Sequence, residues 1–150
     1  MAHPAQDIQG FSGRMVELIP RMMREITRRE SNYFSRGKIS LPQLSVLGHL
    51  ARRDDCPMHE LARVLGITRP AATGLVDRLI AQGLASRRGD PKDRRVVRVN
   101  LTAKGRKVLS VIWEQKRRVI TQVFGRLSAA DRAHYLSTLE KVVKILSEPA

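Results

Sequence analysis

From residue 11 to residue 35 the apolar side chains Met15, Leu18, Ile19, Met22 and Ile26 recur at three- and four-residue intervals, the spacing of one helix face. Arg21, Arg24, Arg28 and Arg29 fall elsewhere on that helix. Pro20 interrupts the pattern and predicts a kink or a late helix start, because its ring removes a backbone donor. Gly37 and Lys38 close the segment. Ser40-Leu41-Pro42-Gln43 then has the form of a capping box, with the Ser40 hydroxyl accepting from a first-turn amide and Gln43 reaching back. The helix it opens, over 41–53, has Leu44, Leu47 and Leu50 as its apolar stripe. A short helix over 59–65 stops at Gly66, and Thr68 caps another over 69–82, which Gly83 closes.

Beyond Gly83 the period changes to two. Strands are expected over 84–88 and 96–101. In the second, Val97, Val99 and Leu101 alternate with Val96, Arg98 and Asn100, as in a half-buried strand. The polar run Gly89-Asp90-Pro91-Lys92-Asp93-Arg94-Arg95 joins the two as a hairpin loop. Thr102 caps a helix over 103–125, and Ser128-Ala129-Ala130-Asp131 opens a last one to residue 147. The fold class is mainly α, about six helices with one small β-hairpin, in a single domain over 1–150.

Residues 58–82 have a further regularity. Leu61, Ala62, Leu65, Gly66, Ile67, Ala72 and Leu75 have the spacing of a helix-turn-helix, with Ala62 small at the crossing and Gly66 in the turn. On the second of these helices Ala72, Leu75 and Leu79 point inward, and Arg69, Pro70, Thr73 and Asp77 lie opposite. That outer side begins at the helix N-terminus, whose free amides favour phosphate. An ordinary helical hairpin with a solvated polar face has the same pattern.

Charge separates the two readings. Lysine and arginine number 28 against 14 acids, a formal charge of +14 on a chain that is 42% apolar, so a folded body meets a polyanion. Residues 69–98 carry Arg69, Arg78, Arg87, Arg88, Lys92, Arg94, Arg95 and Arg98 against Asp77, Asp90 and Asp93, a surplus of +5. A basic hairpin directly after a recognition helix makes a winged helix. Its tip, Lys92, Arg94 and Arg95, suits the negative potential of a narrow minor groove, with Asp93 expected to orient Arg95 by a bidentate pair.

The runs from Leu65-Gly66-Ile67-Thr68-Arg69-Pro70-Ala71 to Leu79-Ile80-Ala81-Gln82-Gly83-Leu84, then Asp90-Pro91-Lys92-Asp93-Arg94-Arg95 and Leu101-Thr102-Ala103-Lys104-Gly105, resemble the MarR family of bacterial transcription regulators. The resemblance implies a homodimer, with residues 1–38 and 103–150 forming dimerisation helices and 39–102 a winged helix-turn-helix lobe. It implies a regulator, most often a repressor, that binds a palindromic operator in double-stranded DNA. Carried onto this chain, the DNA-contacting positions are Thr68, Arg69, Pro70, Thr73 and Gly74, and in the wing Arg95, oriented by Asp93, with Arg94 beside it; the basic Arg78 and Lys92 complete the candidate set. Met58 departs from the serine or threonine cap that many members have before the third helix.

The resemblance also implies a small aromatic or anionic effector. Met22, Ile26, His49, Trp113, Lys116 and Arg117 are its candidate pocket, the two cations receiving a carboxylate; the same apolar residues equally suit core and dimer interface. Cys56, the one cysteine, is expected to be an inert buried residue. His49, Cys56 and His59 lack the paired spacing of a metal site, so no metal or cofactor is expected, and no catalytic constellation or phosphate loop appears. An RNA-binding protein would share the charge, but none of the six aromatics lies in the recognition helix or wing. The chain has no apolar run of membrane-spanning length and its helices spend their apolar faces on one another rather than on a membrane surface, so a cytoplasmic protein without a membrane partner is expected.

Overall fold

Several helix starts in this chain are set by side chains that close first-turn amides. The computed structural model describes residues 7–29 and 38–148. Ser40 Oγ accepts from the Gln43 amide at 3.4 Å and Gln43 Oε1 accepts from the Ser40 amide at 2.9 Å, closing the capping box. Thr68 Oγ1 accepts from Ala71 at 3.3 Å, and Ser128 Oγ from Asp131 at 3.0 Å. The third helix has Pro57 at its N-cap and Met58 as its first residue, and starts without any side-chain cap.

The elements run α1 (Ile8–Arg29), α2 (Leu41–Arg52), β1 (Cys56–Pro57), α3 (Met58–Leu65), α4 (Arg69–Ala81), β2 (Ala85–Gly89), β3 (Val97–Leu101), α5 (Ala103–Phe124) and α6 (Ala129–Ser147). Two expectations change. α1 starts at Ile8 rather than 11 and runs unbroken through Pro20, so the proline neither delays nor divides it; residues 30–35 lie outside the described residues. The hairpin gains a third strand, in the order β1-β3-β2, all antiparallel, with Cys56 opposite Val99 and Ala85 opposite Leu101. β1 is two residues long, too short to display any alternation.

The chain falls into two compact units, one ending at Gln115 and one beginning at Lys116. The first has its core at Val46, Leu47 and Leu50 of α2, Leu61 of α3, Leu75, Val76 and Leu79 of α4, Val99 and Leu101 of β3, and Leu109 and Ile112 of α5. Each such side chain contributes about 1.5–3 kcal/mol by leaving water. Leu65 and Ile67 pack partly buried against this core, as the helix-turn-helix spacing requires. Gly66 ends α3 at φ 63°, in the left-handed region that glycine enters without penalty. The second unit holds the end of α5 and α6, with the Phe124 and Tyr135 rings 5.1 Å apart at 48°.

The run Leu101-Thr102-Ala103-Lys104-Gly105 has a physical basis. Thr102 Oγ1 donates to the Gly83 carbonyl at 2.8 Å and accepts from the Gly105 amide at 3.0 Å, while the Thr102 amide donates to the Leu84 carbonyl at 3.1 Å. This pulls the first turn of α5 onto the turn after α4. A Cβ on Gly105 would collide with the Leu84 carbonyl oxygen and stand 2.7 Å from Leu101 Cδ1. Gly74, in α4, has open space at that position. Gly105→Ala is therefore expected to destabilise the fold by about 1–3 kcal/mol in urea unfolding, from overpacking against backbone. Gly74→Ala is expected to be neutral or stabilising by up to about 1 kcal/mol, from helix propensity alone. Equal midpoints for the two variants would contradict the close-approach account.

Candidate nucleic-acid interface

α4 is anchored by Ala72, Leu75, Val76 and Leu79, all buried. That anchorage fixes what the opposite side presents. Thr68, Arg69, Pro70, Asp77 and Arg78 are exposed, and Thr73 and Gly74 half-buried. Pro70 sits in the first turn, where its missing amide donor is not needed. A cleft of about 450 Å³ opens beside this helix, lined by Arg69 and Thr73 from α4, Met58 and His59 from α3, and Arg87, Arg95, Val96 and Val97 from the wing. Helix and wing candidates thus share one concave surface.

The wing loop is folded around a residue that charge counting treated only as an acid. Asp90 is 8% exposed, and its Oδ1 accepts from the amides of Lys92 at 2.7 Å and Asp93 at 3.2 Å, while Oδ2 accepts from Arg98 Nε. The Asp90 amide in turn donates to the Val96 carbonyl at 2.9 Å. These bonds satisfy the turn internally and leave Lys92, Arg94 and Arg95 exposed. The bidentate Asp93–Arg95 pair does not form. Asp93 accepts from the Arg95 backbone amide at 2.9 Å, and the guanidinium, 93% exposed, stands 3.7 Å away through a single nitrogen. With only Arg94 between them along a turn, the carboxylate reaches the nearer backbone donor first.

The bidentate pair lies elsewhere. Arg88 Nε and Nη2 donate to Asp55 Oδ1 and Oδ2 at 3.0 and 2.8 Å. Arg98 Nη1 donates to the Asp55 carbonyl at 2.9 Å, and Asn100 Nδ2 to Asp55 Oδ1 at 3.3 Å. The hydrogen bond from Arg88 holds the Asp55 carboxyl below the usual aspartate range, and that from Arg98 does the same for Asp90. Asp90 in return raises the Arg98 pKa. Arg87 pairs with Asp77 on α4. The +5 surplus is thus divided: Arg87, Arg88 and Arg98 are engaged inside the protein. Among the described residues Arg69, Arg78, Lys92 and Arg94 have no ion-pair partner. Sequence reasoning missed Asp55, because nothing in its spacing ties it to strands that begin 30 residues later.

The other candidates are scattered. Met22 and Ile26 lie on α1, His49 on α2 and Trp113 on α5, all in the first unit; Lys116 and Arg117 belong to the second. A Cβ on Gly48 would stand 3.9 Å from Trp113 Cζ2, so the indole lies against α2 at Gly48. His49 Nε2 is 3.6 Å from the Cys56 sulfur, and Cys56 is fully buried, its thiol pKa pushed up by desolvation. A thiol in that setting is a poor nucleophile. A second cleft, about 440 Å³, is lined by Lys38, Ile39, Ala81, Gln82, Leu84, Lys104 and Val108 and includes none of the six pocket candidates. No helix among the described residues is long and apolar enough to cross a membrane.

Comparison with known proteins converges on this surface. A family profile described as MarR family matches residues 38–96, from the start of α2 through the wing loop. The chain is 28% identical over 134 residues to the HTH-type transcriptional repressor NicR of Pseudomonas putida, covering 86% of this chain and 84% of that protein. It is 33% identical over 109 residues to the transcriptional activatory protein BadR of Rhodopseudomonas palustris, covering 70% of this chain and 62% of that one. The crystal structure of Streptococcus pneumoniae FabT in complex with DNA shares the fold, with a TM-score of 0.75 over 93% of this chain and 97% of that chain at 19% identity. These relatives are regulators and not enzymes. The helix-turn-helix with its adjoining wing, matched in sequence by the MarR family profile and in fold by solved structures, is that of a MarR-type transcriptional regulator that binds DNA.

Proposed function

We propose that this DNA-binding regulator acts in the cytoplasm as a homodimer on a palindromic operator, as a repressor released by a small effector. The observation that carries the reading is the division of charge around the cleft. Arginines on the wing strands are neutralised within the protein, whereas Arg69 at the start of α4 and Lys92 and Arg94 at the wing tip have no ion-pair partner among the described residues. A recognition helix N-terminus for the major groove and a cationic tip for the minor groove are the two parts a winged helix needs. Thr68, Arg69, Pro70, Thr73 and Gly74 are assigned to the helix contact, Arg78, Lys92, Asp93, Arg94 and Arg95 to its flank and the wing.

Dimerisation is supported by what α1 and α6 leave uncovered. Neither buries any residue, and Ile8, Val16, Ile145 and Leu146 are 71%, 74%, 66% and 79% exposed. Apolar helix faces of this extent are the mark of an association surface, and residues 1–38 and 103–150 are assigned to it. NicR is named a repressor, which supports the sign of regulation here. Trp113 against α2 at Gly48 supports an aromatic ligand in the first unit, with Met22, Ile26 and His49 as further candidates there.

Two outcomes follow. Footprinting is expected to show two protected half-sites about one helical turn, ~10 base pairs, apart, and light scattering a mass twice the 16.9 kDa of one chain. A monomer protecting one half-site would overturn the dimer. Arg95→Ala is expected to weaken operator binding by about 1–3 kcal/mol and to lessen its salt dependence. An unchanged isotherm in a titration at low salt would remove the wing contact.

A further inference from the structure

Among the described residues Asp55 is the one non-glycine with positive φ, at 60°. A side chain in the left-handed region costs free energy and persists only where its surroundings hold it there. What holds Asp55 comes from the wing. Arg88 of β2 closes a two-bond fork on its carboxylate at 2.8 and 3.0 Å. From β3, Arg98 Nη1 donates to its carbonyl at 2.9 Å and stands 3.4 Å from Oδ2, and Asn100 adds a bond at 3.3 Å.

The register of the sheet shows what this contact does. Arg88 and Arg98 are directly opposite each other across β2 and β3. Like charges so placed repel and work against the pairing of the two strands. Asp55 supplies the carboxylate to which both guanidinium groups are drawn, and Asp90 takes Arg98 from its Nε side. We propose that Asp55 is the positioning residue of the wing: it holds Arg88 and Arg98 together and thereby sets the direction in which Lys92, Arg94 and Arg95 leave the body. Its ion-pair partners lie on the strands and none at the tip. This role rests on the wing being the DNA contact proposed above.

The test is a double-mutant cycle on the duplex that the wild-type protein selects from a randomised pool. Asp55→Gly removes the carboxylate and the backbone strain together, since glycine takes the left-handed conformation freely. Each variant is first checked for folding by circular dichroism. Asp55→Gly is expected to weaken binding by about tenfold, the size of one lost charge-assisted contact. In the Asp55→Gly/Arg95→Ala protein the loss is expected to stay close to that of the weaker-binding single variant, because both changes act through one loop. Asp55→Asn, which tolerates the same backbone but lacks the charge, is expected to fall in the same direction, and carries the cycle if the glycine variant does not fold. Wild-type affinity in the Asp55 variants, with a loss in Arg95→Ala, overturns the positioning role and leaves the wing contact standing. Fully additive losses overturn it as well. No loss in Arg95→Ala removes the wing contact itself, and the role of Asp55 falls with it.

Discussion

β3 is the constraint on which the rest of the DNA-binding lobe depends. It is the middle strand of the sheet, paired on one side to the two residues before α3 and on the other to the strand that follows α4. Its alternation serves two purposes at once. Val99 and Leu101 enter the core with Leu47, Leu50, Leu61 and Leu79, while Arg98 and Asn100 face the carboxylates of Asp55 and Asp90. A shift of register by one residue would exchange the two sets, burying guanidinium and exposing valine. Apolar burial therefore fixes the register, and the register fixes which arginine meets which acid.

From this follows how a chain of net charge +14 keeps a defined wing. A hairpin that must attract DNA phosphate is rich in cations, and cations on neighbouring strands repel. Here each strand arginine is matched to an acid: Arg87 to Asp77, Arg88 to Asp55, Arg98 to both Asp55 and Asp90. The acids come from three different places, α4, the segment before β1, and the wing turn itself. Charge used to hold the wing is thus distinct from charge left exposed at its tip, although both are arginine in the sequence.

What could be read from the sequence was what depends on neighbours. The caps at Ser40, Thr68 and Ser128, the stop at Gly66 and the inward set Ala72, Leu75 and Leu79 all act within a few residues, and each is found as expected. Of the candidate contacts, Arg69 and Thr73 of α4 and Arg95 of the wing line one cleft, because helix phase and turn position are likewise local. Pro20 does not delay the helix start: its neighbours carry α1 through it without a break. Asp93 misled, since a backbone amide two residues away competes better for its oxygen than a long side chain does. β1 and Asp55 were hidden because their meaning lies in β3, more than 40 residues later, and only the folded register brings them together.

The two halves of the interface are accordingly held by different forces. α4 is fixed by side chains fully removed from water, an interaction that moderate salt leaves almost unchanged. Beyond the buried side chains of β3, the wing's strand arginines are held by ion pairs that water reaches: the side chains of Arg88, Asp55 and Arg98 are 55%, 30% and 28% exposed. Such pairs are screened over a Debye length of about 8 Å at physiological ionic strength, and they weaken further as salt rises. Salt therefore acts on this protein twice. It competes for phosphate at the exposed cations, as for any DNA-binding protein, and it also loosens the pairs that orient the wing. The placement of α4 is therefore expected to survive salt concentrations at which the wing has lost part of its direction.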